Sequence, residues 1–430
     1  MSRKEIQLGL MALVTAAFAG ETQLHREGVF WVEVEKGSEQ VATRGNIRIS
    51  TIGGVSIKGA PGNQLSYRVV KRVKAGNETQ ARRLLSAYSV RISRQGELTY
   101  LVVQGGSEMA ELEVMAPQNS SLVVVKTAGG TVDAVNFAGE IKAETGGGRV
   151  NIDQVVGDVS AKTAGGDVTF GKIGGDVRCV SGGGTIRADN IRGEAVFETA
   201  GGDIHVQQVD GPVHCSTNGG GIRVVQAGNV VIADTAGGPI DVGYAKGMVT
   251  AKNSGGPIQV GSASGARCES ANGAIHLTSV GGSLKASTAM GSIIARFQTQ
   301  PVAESFLSTG AGDITVWIPS NLKITLRARN ASYGGPRRIV SDFPLDATRG
   351  TRLKMEPHRS RTGNRPVARK AQYDQIGSDR TRRQQGPPSE GEGRVDRQLH
   401  LRLDGAVAEA GGTHRDPRLR QLRDSRLQGV

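Results

Sequence analysis

The sequence predicts an all-β chain. It reads as a two-faced parallel β-solenoid of 18-residue coils, preceded by a small β-rich cap with one helix and followed by a disordered basic tail. Three observations carry this. Corner glycines recur every 18 residues, apolar residues between them alternate, and aromatic side chains make up only 4% of the chain. A core of Val, Ile and Ala suits thin β-layers, and one face per strand is what a period of two means.

The repeat is sought before any motif. From Thr131 the chain divides into blocks such as "TVDAVNFAGEIKAETGGG", "RVNIDQVVGDVSAKTAGG" and "DVTFGKIGGDVRCVSGGG". The first corner column is Gly130, Gly148, Gly166, Gly184, Gly202, Gly220, Gly238 and Gly256. Halfway along each block stands a second corner, at Gly139, Gly157, Gly175, Gly193, Gly211, Gly247 and Gly265. Asn229 fills the one vacancy, which is expected if the corner needs a positive φ. The apolar columns are Val132, Val150, Val168, Ile186, Ile204, Ile222, Ile240, Ile258 and Ile275, and, two residues on, Ala134, Ile152, Phe170, Ala188, Val206, Val224, Val242, Val260 and Leu277. One coil cannot bury its apolar face alone, so stability must come from stacking. About ten rungs at ~4.8 Å make a rod of roughly 50 Å. Thr145, Thr163, Ser181, Thr199, Thr217, Thr235, Ser270 and Thr288 form a hydroxyl ladder, expected to hydrogen-bond along the axis.

Ahead of the rod, residues 20–126 are the cap. "GNIRISTIGGVSIKG" (45–59) has Gly45 and Gly54 nine apart and reads as a first coil. "LSYRVVKRVKA" is a strand, and residues 77–90 a helix capped by Asn77 or Thr79. "VRISRQGELTYLVVQ" reads as a strand pair and "AELEVMAP" as one more strand. The repeats occupy 127–312 and closing strands 313–349. Residues 350–430, Arg-rich and without an apolar period, read as disordered, and a reading-frame slip is one origin for them.

Residues 1–19 read as a signal peptide. Arg3 and Lys4 precede the apolar run "LGLMALVTAAFA", which ends in the small-residue site Ala17-Phe18-Ala19. The run is too short to span a bilayer, so the mature chain is expected to be exported without a transmembrane segment.

Of the net charge of +13, +8 falls in residues 351–430 and +5 in the first 350, and that body has no basic stripe interleaved with aromatics, so nucleic acid is not an expected partner. The glycine pairs are no phosphate loop either, since Gly-Lys-Ser/Thr is absent and no repeat has a helical period. Asp158, Asp167, Asp176 and Asp203 directly follow corner glycines and read as turn residues rather than general acids or bases. His205 and His214, nine apart, fall on opposite faces. No catalytic, cofactor or metal residue is therefore assigned. Cys179, Cys215 and Cys268 share one inward column, two and three coils apart. At roughly 9–14 Å by strand spacing, they lie too far apart for a disulfide.

The export signal, "GNIRIS", "GGVSIKG", "AELEVMAP" leading into "LVVVKTAGGTV", the "TAGGDI"-type coils, "DITVWIPSNLKITLRARN" and "SDFPL" come in an order that resembles the bacterial adhesin-like family of β-strand-repeat solenoids. That family is a domain of unknown function, and the resemblance spans about residues 29–345. It implies a non-catalytic binding or structural module of the cell envelope, in the periplasm, on the surface or secreted. Partners would be envelope components, glycans or surface proteins. The outward column Asp133, Asn151, Thr169, Arg187, His205, Arg223, Asp241, Gln259 and His276 is the candidate face, with an ordinary solvated strand face as its alternative. Two other classes stay open: a carbohydrate-active β-helix enzyme and a polymerising scaffold. The chain departs from the resemblance where another Gly-rich strand pair is expected to finish the fold.

Overall fold

The computed structural model describes residues 23–106, 110–319, 325–330, 339–340, 346–348, 352–355, 401–404 and 406–411. The export segment and most of the basic tail lie outside these residues. What is described is nearly all β, with one helix.

The cap contains β1 (Gln23–Glu27), β2 (Phe30–Gln40), β3 (Asn46–Thr51), β4 (Val55–Ala60), β5 (Gln64–Lys74), α1 (Glu78–Leu85), β6 (Ser89–Gln95), β7 (Leu98–Gln104) and β8 (Glu111–Pro117). The α1 start follows its sequence: the Asn77 side chain accepts the Gln80 N–H at 2.8 Å, satisfying a donor that the helix leaves unpaired. Ala81 and Leu85, one turn apart, are buried beneath it.

Two sheets run the length of the rod. The first face orders β1, β2, β5, β8, β4 and then β10 (Val132–Phe137), with the pairs antiparallel as far as β8 and parallel from there. The second face orders β6, β7, β3, β9 (Leu122–Thr127) and then β11 (Glu140–Thr145). The coil β3–β4 is therefore a true coil, as its glycine spacing suggests, but it is not the first in space. The later β7–β8 stacks on its outer side, and β9–β10 on its inner side.

From β9 on, eleven strand pairs run to Trp317, counted by their alternation between faces. Their registers are 18 residues, as in Val132↔Val150 and Ile141↔Val159. The register shortens to 17 at Val249↔Ala266 and Ile258↔Ile275, and lengthens to 21 at Ala286↔Leu307 and Ile293↔Ile314.

Each coil has one more inward column than the alternation shows. On the first face two consecutive residues point outward, so pairing jumps from Ile152↔Phe170 to Val155↔Ile173. This break in the alternation, made at the same place in both strands of each pair, turns Phe137, Val155, Ile173, Ile191 and Val209 into the core, all at most 2% exposed. Phe170 and Phe197 meet across the core as stacked rings, centroids 5.9 Å apart.

The corner glycines need correcting in their cause. None of the first-corner glycines has a positive φ, and neither does Asn229. Their requirement is close approach: a Cβ on Gly148, Gly166, Gly184 or Gly202 would collide with the carbonyl of the corner glycine one coil before. The second corner is as tight at Gly139 but loosens along the rod, with 2.7 Å at Gly247 and 3.1 Å at Gly265 to the nearest backbone atom. The Asn229 substitution falls there.

The hydroxyl ladder also differs from expectation. The side chains bond backbone, not one another. Thr199 Oγ1 donates to the Gly184 carbonyl of the preceding coil at 3.0 Å and accepts from Gly202 N–H at 3.4 Å. Thr145, Thr163 and Thr217 repeat the pattern. Asn253 takes the same place with its amide, donating at 2.6 Å to Gly238.

Part of the tail is structured where disorder is expected. Leu401–Asp404 pairs antiparallel with Asp313–Trp317, and Ala406–Gly411 with Ser305–Ala311 and Thr325–Asn330. Arg352–Met355 continues the second face. The local sequence "LRLDGAVAEAG" alternates over too short a window to stand out from its Arg-rich surroundings. It supplies a terminal strand pair, and among the described residues the expected closing strand 325–330 pairs with the rod through it.

Candidate functional site

The candidate face is built by repetition. Arg187, His205, Arg223, Asp241 and Gln259 are register partners on successive first-face strands. They stand one rung, ~4.8 Å, apart. Charges of both signs are interspersed: Arg223 lies 3.7 Å from Asp241, and His205 4.0 Å from Asp203. Between the rows is a shallow depression of about 180 Å³, lined by Arg187, Asp189, His205, Gln207 and Arg223 over a floor of Ala188 and Val206.

The paired outward residues add a second outward row, which period-two reading does not separate. It runs Asn190, Gln208, Gln226 and Tyr244 by register. Tyr244 is 45% exposed. Beside it the outward positions are Gly243 and Gly261, so the surface dips there. The 18-residue alignment contains the signal, since Tyr244 is the aromatic in a column of amides.

The carboxylates after the corners are held by backbone. Asp158 accepts the Asp176 N–H at 2.9 Å, Asp176 the Glu194 N–H at 2.8 Å, Asp167 the Thr185 N–H at 2.8 Å, and Asp203 the Gly221 N–H at 2.7 Å. Each bridges one coil to the next, so the group is a set of charge-assisted staples. His205 and His214 stand on opposite faces, in Ile204–Val209 and Val213–Thr217, and His214 lies 3.9 Å from Glu194. Among the described residues no group of three or more His, Cys, Asp or Glu converges as for a metal.

The three cysteines are free and buried. Cys179 and Cys215 share a column, with Phe197 between them. Burial pushes all three thiols up, that of Cys268 to about 12. In the cap, Lys71 is buried against Glu35 at 2.6 Å and Glu33 at 3.2 Å. Burial, and secondarily Glu35, raises the Tyr67 hydroxyl.

The sequence profile of Toastrack DUF4097 matches residues 46–336, more than half of the chain. The chain belongs to that family. The match begins at the β3 strand, so the internal first coil is part of the Toastrack domain, while β1 and β2 precede it. No curated protein matches the sequence. Among solved structures, the Toastrack chain is similar to a candidate adhesin from Bacteroides fragilis, with 13% identity and a TM-score of 0.28 over 60% of this chain and 95% of that one. A candidate cell adhesion protein from Clostridium sporogenes gives 9%, 0.21, 51% and 99%. A candidate lipid-binding protein from Parabacteroides distasonis gives 11%, 0.24, 66% and 96%. No helix among the described residues is long and apolar enough to cross a membrane.

Proposed function

We propose that this Toastrack chain is an exported, non-catalytic binding or structural module of the cell envelope, working in the periplasm, at the surface or outside the cell. The observation that carries the reading is the pair of flat outward faces, repeated over eleven coils, on which side chains recur at a fixed interval. Such a surface suits an extended or repetitive partner: a glycan, an envelope component or a surface protein. Its acids support a non-catalytic role, because those that recur coil after coil are engaged by backbone N–H groups. Ala17-Phe18-Ala19 after a basic start and a short apolar run supports export.

Two measurements test this. Fractionation with N-terminal sequencing is expected to recover chain outside the cytoplasm beginning at Gly20; material starting at Met1 rejects the export step. The mature protein is expected to be retained by envelope fractions in a pull-down, and a chain that stays wholly unbound sinks the binding role.

A further inference from the structure

Within that reading, we infer that the first face holds a binding site for an uncharged oligosaccharide, laid along the rod axis from the Arg187 depression to Tyr244. The inference rests on the binding role proposed above and adds the ligand class and its seat.

Four features point to it. Tyr244 is an aromatic ring left exposed in the middle of a rod whose other mid-rod aromatics, Phe170 and Phe197, are fully buried. A tyrosine offers an apolar ring face with a polar tip, which is what the C–H face and hydroxyl rim of a pyranose need. Gly243 and Gly261 present no side chain beside that ring, so a sugar can lie flat against it. The approach to it is paved with planar side chains that both donate and accept, Gln207 and Gln226 among them. Neither has a partner among the described residues. The rungs advance by ~4.8 Å, close to the advance of one pyranose in an extended glycan, so successive sugars meet equivalent positions.

Charge selects the class. Arg187 and Arg223 are offset by Asp189, Asp203 and Asp241. A polyanion such as nucleic acid or a polyuronate would meet more carboxylates than guanidiniums. A neutral chain can use both as hydrogen-bond partners.

The experiment titrates the full mature protein with neutral hexasaccharides (cello-, chito-, manno- and xylo-), and with a polyuronate hexamer as the charged comparison. Saturable binding of at least one neutral hexasaccharide is expected. Tyr244→Ala is expected to weaken it tenfold or more, Tyr244→Phe to retain most of it, and Gln226→Ala to weaken it several-fold. Lys162→Ala, on the opposite face, is expected to change nothing. Because Tyr244 and Gln226 are exposed, unchanged melting temperatures check the fold of each variant. The inference is overturned if no neutral hexasaccharide binds, if only the polyuronate binds and is released by salt, or if Tyr244→Ala binds like the parent. If Tyr244→Ala is still retained by envelope fractions, the module binds elsewhere: this site falls, and the broader role stands.

Discussion

Thr199 shows how little the fold asks of each residue and how strictly. Its hydroxyl fills one donor and one acceptor role between two backbones in a buried corner. Replacing it by Val keeps the shape and strands both partners, a cost of about 1–3 kcal/mol by the usual penalty for unsatisfied buried groups. Urea denaturation of Thr199→Val should show that loss, and Thr199→Ser should recover most of it. The cysteines make a second residue-scale case. Their folded pKa values lie above the unfolded value of 9.0. The stability they contribute is therefore fully present below pH 9 and is lost as pH rises toward and past the folded value, about 12 for Cys268. Native protein should react slowly or not at all with a thiol reagent at neutral pH and reveal three thiols once denatured. Replacing all three by Ala should flatten the fall of melting temperature above pH 9.

At the scale of the element, the corner is the unit that fixes the coil. Gly184 and Gly183 are neighbours with opposite demands. A Cβ at Gly184 meets the Gly166 carbonyl, whereas one at Gly183 meets nothing within 4 Å. Gly184→Ala is expected to cost about 1–3 kcal/mol, in line with overpacking against a backbone that cannot yield. Gly183→Ala should be close to neutral. A difference of less than about 0.5 kcal/mol between them in chemical denaturation would refute the steric account.

The sequence displays this element well because stacked coils see the same neighbours, so each constraint is written nine or ten times over. Val132 and its register partners are legible for that reason. The third inward column, from Phe137 to Val209, is not. Two consecutive outward residues shift the alternation by one, and period-two counting takes no account of it. The candidate face is half visible: the row containing Arg187 and His205 follows from alternation, while Tyr244 stands just past the break in the alternation and escapes it. The reason for the corner glycines was hidden as well, since a repeated Gly looks the same whether the demand is conformational or steric.

For the whole molecule, the ends decide behaviour. Parallel coils leave an open edge on each face, a template for pairing with other chains. Here the N-terminal side passes into antiparallel cap strands, and Leu401–Asp404 and Ala406–Gly411 lie against the last coil. Truncation after Gly350 removes those two strands. The expected result is a body that keeps most of its melting transition but associates with rising concentration, read by light scattering. A truncated chain that stays monodisperse up to high concentration would show that the tail strands do not guard this end.

The placement of β3–β4 between β7–β8 and β9–β10 bears on how the rod carries load. A simple solenoid tugged by one terminus unwinds turn by turn, each step breaking a single row of contacts at low force. Tension applied at the N-terminus of this chain can strip β1 and β2 from the margin, but it then reaches strands clamped on both sides. These must slide out lengthwise, with two rows of hydrogen bonds loaded in shear at once. A tether at that terminus would end in a mechanical lock, and a molecule anchored there could bear a pull without unravelling from the anchored end.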